Sequence, residues 1–363
     1  MSFAEEGLLA ELSQRLDVMR VQEVKHYTVP DYLAADWQQR LNDASELGSN
    51  DTNNGVEPSL SFSDVVSSSQ INELWREKIC EWYYQIVDHY EFNREIVSVS
   101  MSYLDRFLAT RSVNRRIFQL AAMTALYIAI KLYENGNFAI SSVTSLSRGY
   151  FVSEHIVAME EIMLKALKWH VHPPTPIAFC RDFMLLISMD IPPEMRLEIN
   201  ELVRYLTELS VCDYWFVSRK PSTIAIAAFV CAFEVLGYQR IESRYQDDFL
   251  QRLVDHGNST ATDEDIDECC DRLRDIFRTN AANNDEEAEE TNETRVAVVT
   301  PVRELDGAAP RAKRAESPNS VIIMNQSRSR KRKVLSSVRF QAESADSNFN
   351  EDADEQADDL SQR

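Results

Sequence analysis

Four stretches in the first half of the chain decide its fold. They read LWREKICEWYYQIVDHYEF (74–92), SVSMSYLDRFLAT (98–110), FQLAAMTALYIAIKLYEN (118–135) and HIVAMEEIMLKALKWHV (155–171). In each stretch apolar residues recur every three or four positions, which is the period of an amphipathic helix. The third stretch is apolar on nearly every side from Leu120 to Leu132. A helix of that kind belongs at the centre of a bundle, with the other helices packed around it.

Two charged residues interrupt these apolar surroundings. Lys131 ends the central helix, and Glu160 lies in the fourth stretch beside Met159 and one turn before Leu164. A charge in such a position is costly unless it is paired. The pattern alone therefore predicts either an internal ion pair between Lys131 and Glu160 or a site at which both side chains meet a partner.

The four stretches resemble the cyclin box, the helical fold that binds and activates protein kinases. Five marks of that family stand here at matching spacing, namely Arg76, Asp105, Leu120, Lys131 and Glu160. The resemblance implies that Arg76 and Asp105 form a buried structural pair and that Leu120 belongs to the core. It extends more weakly through a second repeat to about Phe277, where SRKPSTIAIAAFVCAFEVLG (218–237) resembles the second central helix.

The resemblance also implies where a kinase would bind. In the family, the residues that match Lys131 and Glu160 face the kinase and hydrogen-bond its backbone. Leu132, Leu164 and Trp169 would then supply apolar contact beside them. The internal ion pair remains the alternative that needs no partner.

We predict an all-α fold with two tandem five-helix cyclin-box repeats, an N-terminal arm and a disordered C-terminal tail. The predicted domains are a helical arm (1–42), a flexible linker (43–70), an N-terminal cyclin box (71–171), a C-terminal cyclin-type repeat (172–278) and a tail (279–363). The predicted helices cover 71–90, 94–110, 114–134, 140–147 and 152–168, then 175–188, 193–210, 219–237, 244–255 and 263–278. The acidic, apolar-poor composition after residue 279 is the reason for expecting disorder there.

The arm contains a plausible helix from Glu5 to Glu23 that Pro30 would stop. After it, four apolar or aromatic side chains are candidates for packing onto the next domain or for touching a kinase: Tyr27, Tyr32, Leu33 and Trp37.

Composition excludes several classes of function. The chain has 59 acidic against 38 basic residues and a net charge of -21, which argues against a general binder of nucleic acid or acidic membranes. The longest apolar runs, 120–130 and 224–233, are shorter than the roughly 20 residues that span a bilayer. Six cysteines without C-x-x-C spacing indicate reduced, buried thiols rather than a metal site. We expect a soluble intracellular protein.

No pattern supports catalysis or a cofactor. Glycine-rich phosphate loops and nucleophile elbows are absent from the sequence, and the six histidines form no metal spacing. We therefore predict a protein that is not an enzyme and that needs neither cofactor nor metal.

A second candidate surface is the substrate-docking patch that some cyclins carry on their first helix. The matching positions that keep its character are Trp75, Ile79, Trp82 and Gln119. Lys78 and Gln85 depart from the family pattern, because Lys78 adds a positive charge to an apolar surface and Gln85 removes an anion. These departures argue against docking of Arg-x-Leu substrates.

The tail carries short motifs. Its basic cluster reads as a nuclear import signal, with a generic basic patch as the alternative; the cluster consists of Arg328, Arg330, Lys331, Arg332 and Lys333. Thr300 and Ser317 each precede a proline and fit proline-directed kinase sites. We expect the protein in the nucleus, with the cytoplasm as the alternative.

These patterns together predict a regulatory subunit that binds and activates a cyclin-dependent protein kinase and so controls cell-cycle progression. Kinase substrates or inhibitors would be its further partners. The alternative is a scaffold of the general transcription-factor type, which uses the same repeats to bind DNA and protein. Such a scaffold would need a basic folded surface, whereas this chain is acidic.

Overall fold

The structure is a computed structural model that describes residues 3–48, 71–134, 136, 138–237, 240–257 and 261–296. Throughout these ranges the regular secondary structure is helical, and no strand occurs in them. The predicted all-α class is confirmed. Two apolar clusters form separate cores, one for each repeat.

Five helices of the described chain form the N-terminal box: α3 (Glu73–His89), α4 (Glu95–Leu108), α5 (Arg115–Tyr133), α6 (Ile140–Leu146) and α7 (Ser153–Ala166). Their ends lie within a few residues of the predicted ones. Asn72 and Asn114 start α3 and α5, because each side-chain oxygen accepts a hydrogen bond from a backbone N–H of the first turn.

Helix α5 is the centre of this box. Its residues from Ile117 to Ile130 are buried almost without a break. By length and composition α5 could cross a membrane, but 67% of its apolar window is buried inside the protein. That burial is what the central helix of a bundle requires.

The C-terminal box follows the proline-rich segment HPPTP (172–176), which we call the Pro joint, and repeats the arrangement within the described residues. It consists of α8 (Pro176–Phe183), α9 (Pro193–Cys212), α10 (Pro221–Leu236), α11 (Ser243–Gly257) and α12 (Asp263–Val296), with single 3-10 turns at Met184–Leu186 and Tyr214–Phe216. Helix α10 is its buried centre, as the second apolar run predicts.

Two helices extend past the predicted domain boundaries. Helix α12 continues through the acidic run to Val296, whereas the tail was predicted to begin at residue 279. That run lacks proline and glycine, and extending an anchored helix avoids the cost of nucleating a new one.

Near the N-terminus, residues 35–48 form a further helix, α2 (Ala35–Gly48), so helix persists past the expected start of the linker at 43. Trp37 anchors α2 by donating its indole N–H to the Ala109 carbonyl.

The N-terminal arm joins the two boxes. Its helix α1 (Phe3–Lys25) lies on the C-terminal box and buries three leucines in that core: Leu9, Leu12 and Leu16. The segment after α1 crosses to the N-terminal box, where Val29 and Tyr32 are buried. Sequence reasoning predicted that the segment after α1 packs on the N-terminal box. It did not predict that α1 lies on the C-terminal box.

A buried polar cluster holds the arm and both boxes together. The Arg76 guanidinium donates two hydrogen bonds to the Asp105 carboxylate, each 2.9 Å long. It also donates to the carbonyls of Val211 and Cys212 at the end of α9. Tyr32 of the arm donates its hydroxyl to Asp105 at 2.8 Å. We call this set the Arg76–Asp105 cluster, and in it the two side chains are paired and buried.

The ionisation of the cluster follows from its contacts. Burial opposes a charge on Arg76, but attraction to Asp105 and their hydrogen bonds raise the pKa of Arg76 above its ordinary value. Burial also raises the pKa of Tyr32 well above its ordinary value. Arg76 therefore stays charged, and the Tyr32 hydroxyl keeps its proton, throughout the physiological range.

Tyr32→Phe tests whether this cluster holds the arm. We expect the free energy of unfolding to fall by about 1.5–3 kcal/mol, because a buried carboxylate loses one hydrogen bond. Amide hydrogen exchange across residues 26–34 should speed up. Tyr83→Phe is the control, since its hydroxyl bonds the Ala122 carbonyl inside the N-terminal box. Equal exchange of the arm in both variants would contradict this role.

Arm residues Arg20 and Glu23 are both buried against the C-terminal box. Glu23 accepts hydrogen bonds from the backbone N–H and the hydroxyl of Ser222, at the N-terminus of α10. Burial raises the pKa of Glu23 although these bonds oppose the change. The three guanidinium nitrogens of Arg20 are buried without a hydrogen-bond partner, and burial lowers its pKa. A buried cation without hydrogen bonds destabilises the fold, although Glu23 and Asp17 attract this one.

Arg20→Met should therefore stabilise the protein. We expect the free energy of unfolding in urea to rise by about 1–3 kcal/mol, since an unsatisfied buried group costs that much. Arg15 is the matched control on the same helix, because it is paired with Asp182 at 2.7 Å. Arg15→Met should lower the free energy of unfolding by about 1 kcal/mol. A destabilised Arg20→Met protein would contradict this reading.

Candidate functional site

The structure brings Lys131 and Glu160 together. The Lys131 ammonium donates to a Glu160 carboxylate oxygen at 2.6 Å and lies 4.8 Å from the centre of the Tyr127 ring. The pair is not buried, because 42% of the Lys131 side chain and 18% of the Glu160 side chain are exposed. Both predicted possibilities are thus compatible with the geometry: an internal pair exists, and solvent or a partner can reach it.

Apolar side chains lie next to this pair in the sequence and in the fold. Leu132 is exposed at the end of α5, and Leu164 is half-buried one turn after Glu160 on α7. Val157, which sequence reasoning missed, is 55% exposed one turn before Glu160. The three-residue and four-residue spacing of Val157, Glu160 and Leu164 places them along one face of α7. The result is a strip of alternating polar and apolar groups.

Trp169 ends this strip in a strained turn. Its side chain is 68% exposed, which is unusual for so large an apolar group. Lys168 and Trp169 both adopt left-handed backbone conformations, with φ of 51° and 62°. Non-glycine residues in this region carry strain, which is found most often at functional sites. The turn that exposes the Trp169 indole to solvent therefore carries backbone strain.

Arg106 holds that turn, and sequence reasoning missed its role. Arg106 is buried on α4 and donates to the Leu167 and His170 carbonyls, on either side of Trp169. Its guanidinium also lies 4.7 Å from the Tyr27 ring of the arm. The available signal was its place next to Asp105 in the motif YLDRFL. A second buried charge beside a structural pair indicates a second buried partner.

We call Lys131, Leu132, Glu160, Leu164 and Trp169, together with Val157, the α5–α7 surface. Its chemistry suits a partner's backbone. The Lys131 ammonium has three donors and Glu160 has two acceptor oxygens, so the ion pair leaves donors and acceptors free for peptide groups. Flanking apolar side chains can exclude water from those bonds, which strengthens them.

The predicted docking patch has a different environment. Trp75, Ile79 and Trp82 are half-buried along α3, and the Trp75 ring contacts Phe118 of α5 edge-on. Gln119 is half-buried beside Phe118 in sequence. The Arg115 guanidinium stacks 4.6 Å from the Trp75 ring, and Lys78 is exposed. The cations Arg115 and Lys78 at this surface are unfavourable for a basic peptide.

The structure does not describe the residues of the remaining predicted sites. Thr300, Ser317 and the basic cluster from Arg328 to Lys333 lie outside the described residues. Within the part of the chain that the structure describes, no group of three or more metal-ligating side chains occurs.

Solved structures with a similar fold include two of low sequence identity. A viral cyclin from herpesvirus saimiri is 16% identical with a TM-score of 0.49, and the match covers 72% of this chain and 97% of that one. The CAK complex of Chaetomium thermophilum bound to ATP-gamma-S contains a chain that is 17% identical with a TM-score of 0.47, covering 71% and 80%.

Curated relatives are more similar in sequence. G2/mitotic-specific cyclin-B2 of Oryzias luzonensis is 28% identical over 194 residues, 52% of this chain and 48% of that protein. G2/mitotic-specific cyclin S13-6 of Glycine max is 30% identical over 168 residues, 46% and 36% of the two chains. Cyclin-A3-3 of Arabidopsis thaliana is 31% identical over 166 residues, 45% and 50% of the two chains. The chain thus spans about half the length, or less, of these relatives.

Two family models match successive parts of the sequence. "Cyclin, N-terminal domain" covers residues 53–172, and "Cyclin, C-terminal domain" covers residues 174–295. The boundary between them falls at the Pro joint, where the structure changes from one box to the other. With both domain models matched in order over most of its length, the chain belongs to the cyclin family.

Proposed function

We propose that this protein is the regulatory subunit of a cyclin-dependent protein kinase and activates it to control cell-cycle progression. The supporting observation is the α5–α7 surface, where an accessible ion pair lies between exposed apolar side chains and a strained, exposed tryptophan. Cell division is the proposed setting because the curated relatives include mitotic cyclins. The protein itself supplies no chemistry in this proposal.

The mechanism is selection of an active kinase conformation. Phosphoryl transfer requires a mobile kinase helix to place its glutamate against a strand lysine. A partner that binds only the correctly placed helix shifts the kinase towards that state by its differential affinity. Lys131 and Glu160 would bind backbone groups near the kinase helix, while Leu132, Leu164 and Trp169 would cover its apolar side.

The double variant Lys131→Ala/Glu160→Ala tests the polar contacts. We expect capture of a kinase from cycling cells, and the histone-phosphorylating activity captured with it, to fall at least about tenfold, since truncating charges at an interface costs about 2 kcal/mol or more. Circular dichroism and stability should change little, because a partly exposed pair contributes about 0–1 kcal/mol.

The matched control is Glu161→Ala/Lys165→Ala. It removes another ion pair of the same helix, with both side chains more than 60% exposed. This control should capture the kinase as the unmodified protein does. Equal capture by both double variants would show that Lys131 and Glu160 are an internal pair only. Salt-dependent DNA binding without kinase capture would instead support the scaffold alternative.

Trp169→Ala tests the apolar contact. A protruding tryptophan is a typical binding hot spot, so we expect about tenfold or greater loss of kinase capture. The fold should persist, because the indole is mostly exposed. Met189→Ala is the control, since Met189 is 77% exposed on the C-terminal box. Kinase capture unaffected by Trp169→Ala would place the interface elsewhere.

We further propose the nucleus as the working location, with the basic cluster 328–333 as the import signal. The composition of that cluster in an otherwise acidic tail supports the proposal. Kinase substrates or inhibitors are proposed as further partners on other surfaces of the same chain.

A further inference from the structure

Two of the six cysteines meet across the junction between the boxes. Cys80 lies on α3 of the N-terminal box, and Cys212 is the last residue of α9 in the C-terminal box. Their sulfur atoms are 3.2 Å apart although the residues are 132 positions apart in sequence. This contact is independent of the α5–α7 surface and of the proposed function.

The backbone around the two sulfurs is fixed on both sides. Arg76, one turn before Cys80, donates to the Cys212 carbonyl at 3.1 Å. Tyr84, one turn after Cys80, donates to the Glu208 carbonyl at 3.3 Å. The same face of α3 therefore holds α9 above and below the sulfur contact. The two thiols are kept opposite each other rather than meeting by chance.

The other cysteines are arranged differently. Cys231 and Cys270 hydrogen-bond each other through their side chains. Both belong to the core of the C-terminal box, and their thiols also face the backbone carbonyls of Cys270 and Ala227 respectively. Cys180 and Cys269 are buried in the same core. Cys212 is partly exposed, whereas these four cysteines are buried. Among the described cysteines, Cys212 thus combines access to solvent with a sulfur partner in the other box.

We propose that Cys80 and Cys212 are an oxidation site, at which a peroxide converts the two thiols into a disulfide that links the boxes. The partly exposed Cys212 sulfur attacks hydrogen peroxide, forming Cys212 sulfenic acid and releasing one water. Cys80 sulfur then attacks the Cys212 sulfur, forming the S–S bond, and the leaving hydroxide takes the Cys80 proton to become a second water. Two thiols are oxidised by two electrons, and one peroxide is reduced.

The order of these steps follows from the environment. Burial raises the pKa of Cys80 well above its ordinary value, so Cys80 is a thiol at neutral pH and a poor first nucleophile. The final bond requires the sulfurs to approach by about 1 Å, since a disulfide is roughly 2.05 Å long. Intracellular disulfides are generally transient, so a thiol reductant should restore the reduced pair.

The consequence is a covalent tie at the box junction. A disulfide that closes so long a loop restricts the unfolded chain and stabilises the folded one. It would also prevent the end of α9 from separating from α3. The oxidised protein should therefore keep the orientation of its boxes under conditions in which the reduced protein begins to open.

The experiment uses the reduced full chain, treated with hydrogen peroxide under native conditions and then alkylated and digested without reductant. Mass spectrometry should find the Cys80 and Cys212 peptides linked, with the loss of two hydrogen atoms, and dithiothreitol should separate them. The thermal unfolding midpoint should rise by several degrees on oxidation. Cys212→Ser should abolish both changes, whereas Cys180→Ser should keep them.

Three results would overturn the proposal: Cys212 oxidised to sulfinic acid without linkage, linkage of Cys212 to a second chain, or a Cys80–Cys212 link that forms only in denaturant. If Cys212→Ser fails to fold, the peptide map of the unmodified protein tests the proposal by itself. The presence or absence of linked Cys80 and Cys212 peptides then decides, because that measurement needs no variant. A native link between Cys231 and Cys270 in place of the proposed one would count equally against it.

Discussion

The structure depends on one buried ion pair, between Arg76 of α3 and Asp105 of α4. The further hydrogen bonds of the pair go to different parts of the chain. Asp105 accepts from Tyr32 of the arm, and Arg76 donates to the end of α9. A buried charge without its partner costs about 3–5 kcal/mol. Arm, first box and second box are therefore mutually dependent, because none of them can leave without exposing a polar group of the others.

Helix α4 also connects this buried cluster to the exposed turn at Trp169. Asp105 and Arg106 are neighbours on α4 and so point in directions about 100° apart. Asp105 completes the buried cluster, while Arg106 holds the turn that exposes Trp169. The buried Arg106 thus fixes the conformation of the Trp169 turn before any partner binds. A rigid turn loses little conformational freedom on binding. The strain of Lys168 and Trp169 is offset by these buried hydrogen bonds.

Two ion pairs of similar chemistry differ in how far their side chains are exposed to solvent. Arg76–Asp105 is enclosed and its hydrogen bonds go to groups inside the protein, so its role is structural. Lys131–Glu160 is partly open and keeps unused donors and acceptors, so a partner can bind it. Water screens the open pair, which makes it nearly neutral for stability and leaves its polarity available for recognition. The junction of α3 and α9 holds Cys80 against Cys212, where Cys80 is buried and Cys212 is partly exposed.

The acidic run 279–296 shows a limit of composition as a guide. Residues 279–296 contain too few apolar side chains to form a core, and that feature alone predicted disorder. The helix continues because α12 is already anchored by buried residues such as Cys270 and Leu273, so no new nucleus is needed. Composition reports whether a segment can fold alone, and not whether it can extend a folded neighbour.

The sequence by itself determined the all-α class, the two central helices and most helix ends, because apolar periodicity and capping residues act locally. It also pointed to Lys131 and Glu160, since charges in apolar helices need partners. Only the tertiary structure decided that α1 lies on the C-terminal box, that Arg106 holds the Trp169 turn, and that Cys80 meets Cys212. Those contacts join residues more than 60 positions apart. Such pairings depend on how the helices pack in three dimensions, which local spacing does not encode.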